Sequence, residues 1–304
     1  MTHTEPQASP PVAYIARTRD YYEGLGFEWP YEWAHFSDVP FTPLRKPLRD
    51  ATIAIVTTAA PFQPDAGPQG PGSPYNAKAK FFSVYEMPVT PPPDLRNAHV
   101  GIDRDNITVH DLQSFVPISA LAALDERGEI GALAPRLFGF PTNRSKRVTR
   151  EVNCPDLVSR CDASNIDAAV LVPNCPVCHQ STALAARALE AQGIATVIIG
   201  SAKDVIEHVG VPRFIFNDFP LGNAAGPPHA TDVQHDIARR AVRLLETAPA
   251  PRTTHTTPHT WPGKPDWKRD YFRIDHLSPA DLAARRAAFD QAKRETPPKP
   301  QVRC

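Results

Sequence analysis

The sequence predicts an α/β fold: a doubly wound, mostly parallel sheet of flavodoxin-like or Rossmann-like βαβ units, in one large domain or two lobes, with an N-terminal arm and a C-terminal helical extension. Three observations carry this expectation. The run ATIAIVTT at 51–58 is too short and too apolar for a surface helix and reads as a strand buried on both faces. From residue 166 onward, apolar runs alternate with helical stretches: strand 166–172, helix 180–192, strand 196–200, helix 202–208 and strand 213–216. Such alternation builds right-handed crossovers on a parallel sheet. Finally, 304 residues are enough to bury a sheet between two helical layers.

Residues 1–50 are rich in Pro and aromatics without a sustained period, so they read as an arm held on the main body by Tyr21, Tyr22, Trp29, Tyr31 and Trp33. The Pro- and Gly-dense stretch 60–76 must be a loop leaving the carboxyl end of the first strand, the end at which open α/β sheets bind ligands. Residues 117–127 predict a helix with Ile118, Leu121 and Leu124 on one face and Gly128 as its stop, followed by a strand-like GALAP. Thr231 with Gln234 has the capping-box pattern ahead of Val233, Ile237, Ala241 and Leu244. Residues 247–270 read as irregular, Ser278-Pro279 with Asp281 opens a last helix through Phe289, and 296–304 is a loose tail. The chain therefore divides into an arm (1–50), an α/β body (51–246) and an extension (247–304), with no internal repeat.

Charge and hydropathy exclude several functions. Lys plus Arg equals Asp plus Glu at 33 each, leaving no basic surplus for nucleic-acid phosphates. No stretch approaches 18 apolar residues and the start lacks the layout of a signal peptide, so the expected setting is the cytoplasm, with no membrane partner. Five cysteines are few for this length, and two of them form C-P-V-C at 175–178. In a reducing compartment that pattern points to redox or metal chemistry before a structural disulfide.

Cys175 follows a strand and precedes a helix, so free backbone N–H groups and the positive helix end should favour its thiolate, with Pro176 stiffening the first turn. A thiolate there is nucleophilic, should face an open crevice, and could be resolved by Cys178 one turn on. A metal site would have to recruit Cys154 and Cys161, at C-x6-C-x13-C-x2-C, which is not a standard zinc knuckle. Cys304 reads as a bystander. His179 could stabilise a thiolate or deliver a proton. His99, Asp103 and His110 could orient a substrate, Thr57 and Thr58 could face the same crevice, and Gly222 with Asn223 in FPLGNAAG could let backbone approach a ligand. Ordinary loop hydrogen bonding competes with each of these. GxGxxG and GxxxxGK motifs are absent, which weakens any nucleotide cofactor.

Four blocks carry a resemblance: VPFTPLRKPLRDATIAIVTTAA, HVGIDRDNITVHDLQSFVPISALAALDERGEIGALAP, IDAAVLVPNCPVCHQSTALAARALEAQGIATVIIG and GVPRFIFNDFPLGNAAG. In this order, from about 39 to 228, they resemble the selenoprotein B components of the glycine, sarcosine, betaine and D-proline reductases, the D-proline type in particular. The resemblance implies a reductase in which Cys175 stands at the position often held by selenocysteine and Cys178 matches the cysteine three residues later. It implies attack on carbon beside an amine, C–N cleavage, and resetting by an external dithiol or thioredoxin-like reductant. It also implies a pyruvoyl group from a partner chain, since no self-cleaving site is present here, and assembly with a reductase subunit and with itself as a homo-oligomer. Two other readings stay open: a non-redox cysteine lyase or desulfurase acting on a small heterocycle or thio-compound, and a metal-binding or redox-sensing module built on Cys154, Cys161, Cys175 and Cys178.

Overall fold

A computed structural model describes residues 9–295 apart from 29, 30, 71, 72, 74, 98, 265 and 276; the expected anchor Trp29, the tail 296–304 and Cys304 lie outside the described residues. In chain order the strands are β1 (Thr52–Thr57), β2 (Ala60–Pro61), β3 (Tyr85–Pro88), β4 (Leu95–Arg96), β5 (Ala132–Leu133), β6 (Arg136–Gly139), β7 (Ala168–Val172), β8 (Ala195–Gly200), β9 (Arg213–Phe216) and β10 (Thr253–Thr256). The helices are α1 (Tyr14–Gly24), α2 (Ile118–Glu126), α3 (Lys146–Val148), α4 (Cys154–Ala163), α5 (Pro176–Ala191), α6 (Lys203–Val209), α7 (Thr231–Thr247), α8 (Trp267–Asp270) and α9 (Pro279–Glu295).

Eight strands form one sheet in the order β10-β9-β8-β7-β1-β6-β3, with β5 also on β1, while β2 and β4 pair separately. Every pairing in the large sheet is parallel except β3 with β6 at the edge. Successive side chains of β1 point to opposite faces. Ile53 and Ile55 pack with α2 and α7 through Leu121, Leu124, Ile237 and Ala241, and Ala54 and Val56 pack with α4, α5 and α6 through Leu157, Leu189 and Ile206. Both faces are therefore covered, the reason this run is apolar throughout, and each buried Ile or Val contributes about 1.5–3 kcal/mol. A buried ion pair, Arg213 with Glu190 at 2.8 Å, joins β9 to α5, and the Glu190 carboxylate also accepts from the backbone of Thr196 and Thr42.

Chain direction positions the site. From β1 the chain continues through α2 to β5 and β6 on one side, whereas β7 continues through α5 to β8 on the other. The carboxyl ends of β1 and β7 thus flank the point where the winding reverses, the place where open α/β sheets hold ligands.

Several local expectations change. Helix α5 begins at Pro176 and not at 180, so C-P-V-C is its cap and first turn. Thr231 is not a cap: Ala230 holds that position, and the Gln234 side chain donates to the Asp111 carboxylate and the Pro227 carbonyl instead. The box at Ser278 does form, with Ser278 Oγ and N donating to Asp281 Oδ2 and Asp281 N donating to Ser278 Oγ. The supposedly irregular stretch 247–270 contributes β10, paired in parallel with β9. Arm and extension meet each other: Tyr14 and Trp33 cluster with Val205, Leu221, Trp267 and Tyr271, and Tyr21 stacks on Phe272.

Candidate active site

Cys175 is the N-cap of α5, in extended conformation with φ −126° and ψ 171°, and its Sγ accepts from Cys178 N at 3.4 Å. Extended backbone at the cap turns the side chain over the first helical turn, so the two sulfurs meet at 2.7 Å as free thiols. Three donors converge on Cys178: the Cys175 thiol, the Thr142 hydroxyl at 3.2 Å, and the His99 ring, which also donates from Nε2 to the Thr58 carbonyl at 2.6 Å.

These contacts decide where the negative charge rests. Burial opposes ionisation of Cys178, but the hydrogen bond from Cys175, the His99 charge and hydrogen bond, and the Thr142 hydroxyl outweigh it and hold the Cys178 pKa well below the ordinary thiol range. Burial, together with donation to Cys178, raises Cys175. Burial also opposes a charged His99, and the Cys178 anion and the Thr58 carbonyl overcome it, so its pKa rises. The pair therefore shares one proton, with the anion resting on Cys178 and not on Cys175 as helix position alone implies.

Neither thiol opens on a crevice. Cys175 is 5% exposed and Cys178 fully buried, beneath Ile102, Ile107, Val109 and Val177. The cover is loop 97–107. Tyr271 OH donates to Gly101 O at 3.0 Å, Asp103 N to Leu221 O at 2.9 Å, and Asn97 Nδ2 to Gly222 O at 2.8 Å. A Cβ on Gly101 would sit 2.8 Å from Pro176 Cδ, so the loop can lie this low only as glycine. The clearest surface hollow, about 290 Å³ beside Pro47, Glu129 and Arg243, lies at the amino ends of the strands, away from the thiols.

The other sequence candidates divide. His179 has both nitrogens engaged: Nδ1 donates to Cys175 O at 2.8 Å, and Nε2 accepts from Ser201 N and Ala202 N at 3.0 and 3.1 Å. Burial pushes its pKa down to about 4, so near neutrality it is a fixed neutral ring tying α5 to α6. The ring beside the thiols whose pKa is raised is His99. Thr58 Oγ1 accepts from Asn174 N and Nδ2, whereas Thr57 Oγ1 merely closes a turn with Ala59 N. The Asp103 carboxyl, raised to about 6 by burial, accepts from Asn106 and shapes the cover loop. Gly222, at φ +118°, abuts Ile107, Asn97 and Ile102, and Asn223 donates to Thr108 O and Ser114 Oγ. Gly222 braces the loop from below, and Asn223 holds the segment that follows it. His110 is exposed beyond the loop. Thr142, Asn97, Asn174 and Tyr271 were not singled out by sequence; Thr142, behind β6, and Asn174, behind β7, lie at strand ends. Cys154 and Cys161 lie on the buried face of α4 in an apolar layer, and the metal-capable cluster among the described residues is His99, Cys175 and Cys178, so the four-cysteine site does not form.

Comparison with known proteins finds similarity to two reductase subunits. The chain is 28% identical over 218 residues to the D-proline reductase subunit gamma of Acetoanaerobium sticklandii, covering 69% of this chain and 84% of that one. It is 24% identical over 216 residues to the glycine reductase complex component B subunit gamma of Carboxydothermus hydrogenoformans, covering 70% of this chain and 49% of that subunit. No family model and no solved structure matches. With the parallel sheet and the paired cysteines in place, the chain is similar to subunits of the D-proline and glycine reductases.

Proposed function

We propose that this chain is a thiol-dependent reductase that cleaves a carbon–heteroatom bond, of C–N type, in a small amino-acid-like substrate. The observation that carries the reading is the apposition of two free thiols at 2.7 Å at the winding reversal of the sheet, one of them ringed by donors. The Cys178 anion takes the proton of Cys175, and the Cys175 thiolate attacks the substrate carbon as the bond to nitrogen breaks and the amine leaves with a proton, for which His99 is the nearest carrier. Cys178 then attacks the Cys175 sulfur. The carbon leaves with the electron pair and takes a proton, so the substrate gains two electrons and the chain is left with a Cys175–Cys178 disulfide. An external dithiol or thioredoxin-like protein resets it. Substrate entry requires loop 97–107 to lift, because it covers the sulfur that reacts.

The groups around the thiols are amides, hydroxyls and a histidine, with no carbonyl electrophile of their own, so a pyruvoyl group fits this site only as a contribution from a partner chain. When bound, such a group activates the substrate amine for departure. Cysteine at 175 in place of selenocysteine, a partner reductase subunit, self-association and a reducing cytoplasmic setting belong to the same reading. Among the described residues no helix is long and apolar enough to cross a membrane.

The test uses Cys178→Ser with D-proline and glycine analogues under reductant, followed by intact-mass analysis. The reading expects a persistent adduct on Cys175 and none in Cys175→Ser. Multiple turnovers by Cys178→Ser would remove Cys178 as the resolving thiol, and turnover by the unaltered chain without any reductant would make it a lyase.

A further inference from the structure

The ligand atoms of His99, Cys175 and Cys178 all lie within 4.8 Å of one another. Two thiolates and one imidazole are the donor set of a borderline-soft divalent cation with an open fourth position. Nε2 of His99 donates to the Thr58 carbonyl at 2.6 Å, which fixes a proton there and makes the other ring nitrogen, directed at Cys178, the ligand atom once its own proton leaves. A backbone carbonyl on the far ring nitrogen is how metal-binding histidines are ordinarily oriented. Around the sulfurs, the Thr142 hydroxyl at 3.2 Å from Cys178 and the backbone N–H of Cys178 at 3.4 Å from Cys175 supply the outer hydrogen bonds that thiolate ligands carry. The sulfurs, now 2.7 Å apart, would part to about 3.8 Å, the separation set by two bonds of ~2.3 Å at the tetrahedral angle. Rotation about the Cα–Cβ bond of the N-cap Cys175, outside the helix, is the movement needed.

We propose that His99, Cys175 and Cys178 form a binding site for one zinc-like divalent cation, which locks loop 97–107 over the reduced thiol pair and so holds it out of reaction. The cation replaces the proton shared by the sulfurs and the one His99 directs at Cys178, so two protons are released and two metal-bound thiolates and a neutral imidazole ligand remain. No electrons move, so neither oxidant nor reductant is needed. His99 rides on the loop that must lift for a substrate to reach Cys175, so the ion ties the cover to the sheet at the point where the cover opens. A Cys175–Cys178 disulfide abolishes the site, since its sulfurs are no longer thiolates, and binding is therefore confined to the reduced chain. This inference stands apart from the reductase reading, because it needs only the three side chains and their reduced state.

Cobalt(II) titration of the full, reduced chain without oxygen tests it. The expected result is one equivalent bound, with sulfur-to-cobalt charge-transfer absorption that zinc displaces. The absorption should be lost in Cys175→Ser and in the diamide-oxidised chain and retained in the doubly substituted Cys154→Ser, Cys161→Ser chain. His99→Ala should weaken binding by at least the ~10–100-fold that loss of a mere outer-shell partner costs. Should His99→Ala fold poorly, the unaltered chain decides: one equivalent of zinc must protect Cys175 and Cys178 from alkylation and block their oxidation to a disulfide. Absence of the absorption, its survival in Cys175→Ser, its loss in the Cys154 and Cys161 variant, or alkylation unaffected by zinc would each overturn the proposal.

Discussion

Cys154 and Cys161 on α4 are as well buried as Cys175 and Cys178 at the start of the neighbouring α5, yet the two pairs have opposite chemistry. Around the first pair stand Leu157, Phe138 and Val56, and burial pushes both pKa values up to about 12, which leaves roughly one thiolate in 10⁴ at pH 8. In the second, the Cys175 thiol, His99 and Thr142 overturn the same desolvation at Cys178, while Cys175 itself stays raised. Burial makes a thiol inert only where donors are missing. Position at the carboxyl edge of the sheet supplies them, because loops leaving three strand ends converge there.

The comparison breaks first, and by the largest effect, if cysteine exchange does not separate the pairs. Cys175→Ser should abolish reductase turnover while leaving the melting transition nearly unchanged. Cys161→Ser should keep turnover. A second contrast concerns the support beneath the pairs, since the His179 ring is bonded to the Cys175 carbonyl whereas Cys154 packs in an apolar cluster. Its pKa of about 4 lies below the unfolded value of ~6.5, so as pH falls through that window the unfolded chain takes up the proton first and stability is lost. The advantage of the unaltered chain over His179→Gln should therefore shrink by about 3 kcal/mol between pH 7 and pH 4, measured by urea unfolding. The subtraction is needed because Asp103, raised to about 6, contributes with the opposite sign over the same range.

Smaller effects sharpen the contrast. Cys161→Ser places a hydroxyl in an apolar layer and should cost about 1–3 kcal/mol by the same unfolding assay. Tyr271→Phe removes one hydrogen bond to the cover loop, worth about 1 kcal/mol, so Cys175 should be alkylated several-fold faster while Cys154 and Cys161 are labelled as before.

The sheet was legible because its central strands are buried on both faces, which forces the uninterrupted runs at 52–57, 168–172 and 195–200. Strand β10 was not: a parallel edge strand reading TTHT, exposed on its outer side, carries neither an apolar run nor alternation. The thiol pair and His99 could be named from the sequence, but their relation could not. That Cys178 collects the donors depends on Thr142 and His99 arriving from loops 36 and 79 residues away in the chain. The hydrogen-bond partners of His179 could not be read from the sequence, because they come from another element. Here α6 packs its amino end against the first turn of α5 and captures the ring. Tyr271 gave no signal, since its role depends on an extension folding back over the loop it bonds.

The central claim is that the sulfurs of Cys175 and Cys178 are the chain's paired, reactive thiols. Mild oxidation of the reduced chain, followed by proteolysis and mass spectrometry of the disulfide-linked peptides, tests it without any substrate. The account predicts a bridge joining Cys175 to Cys178 while Cys154 and Cys161 remain free. A chain that stays fully reduced at those two positions, or that first consumes Cys154 and Cys161, would contradict it.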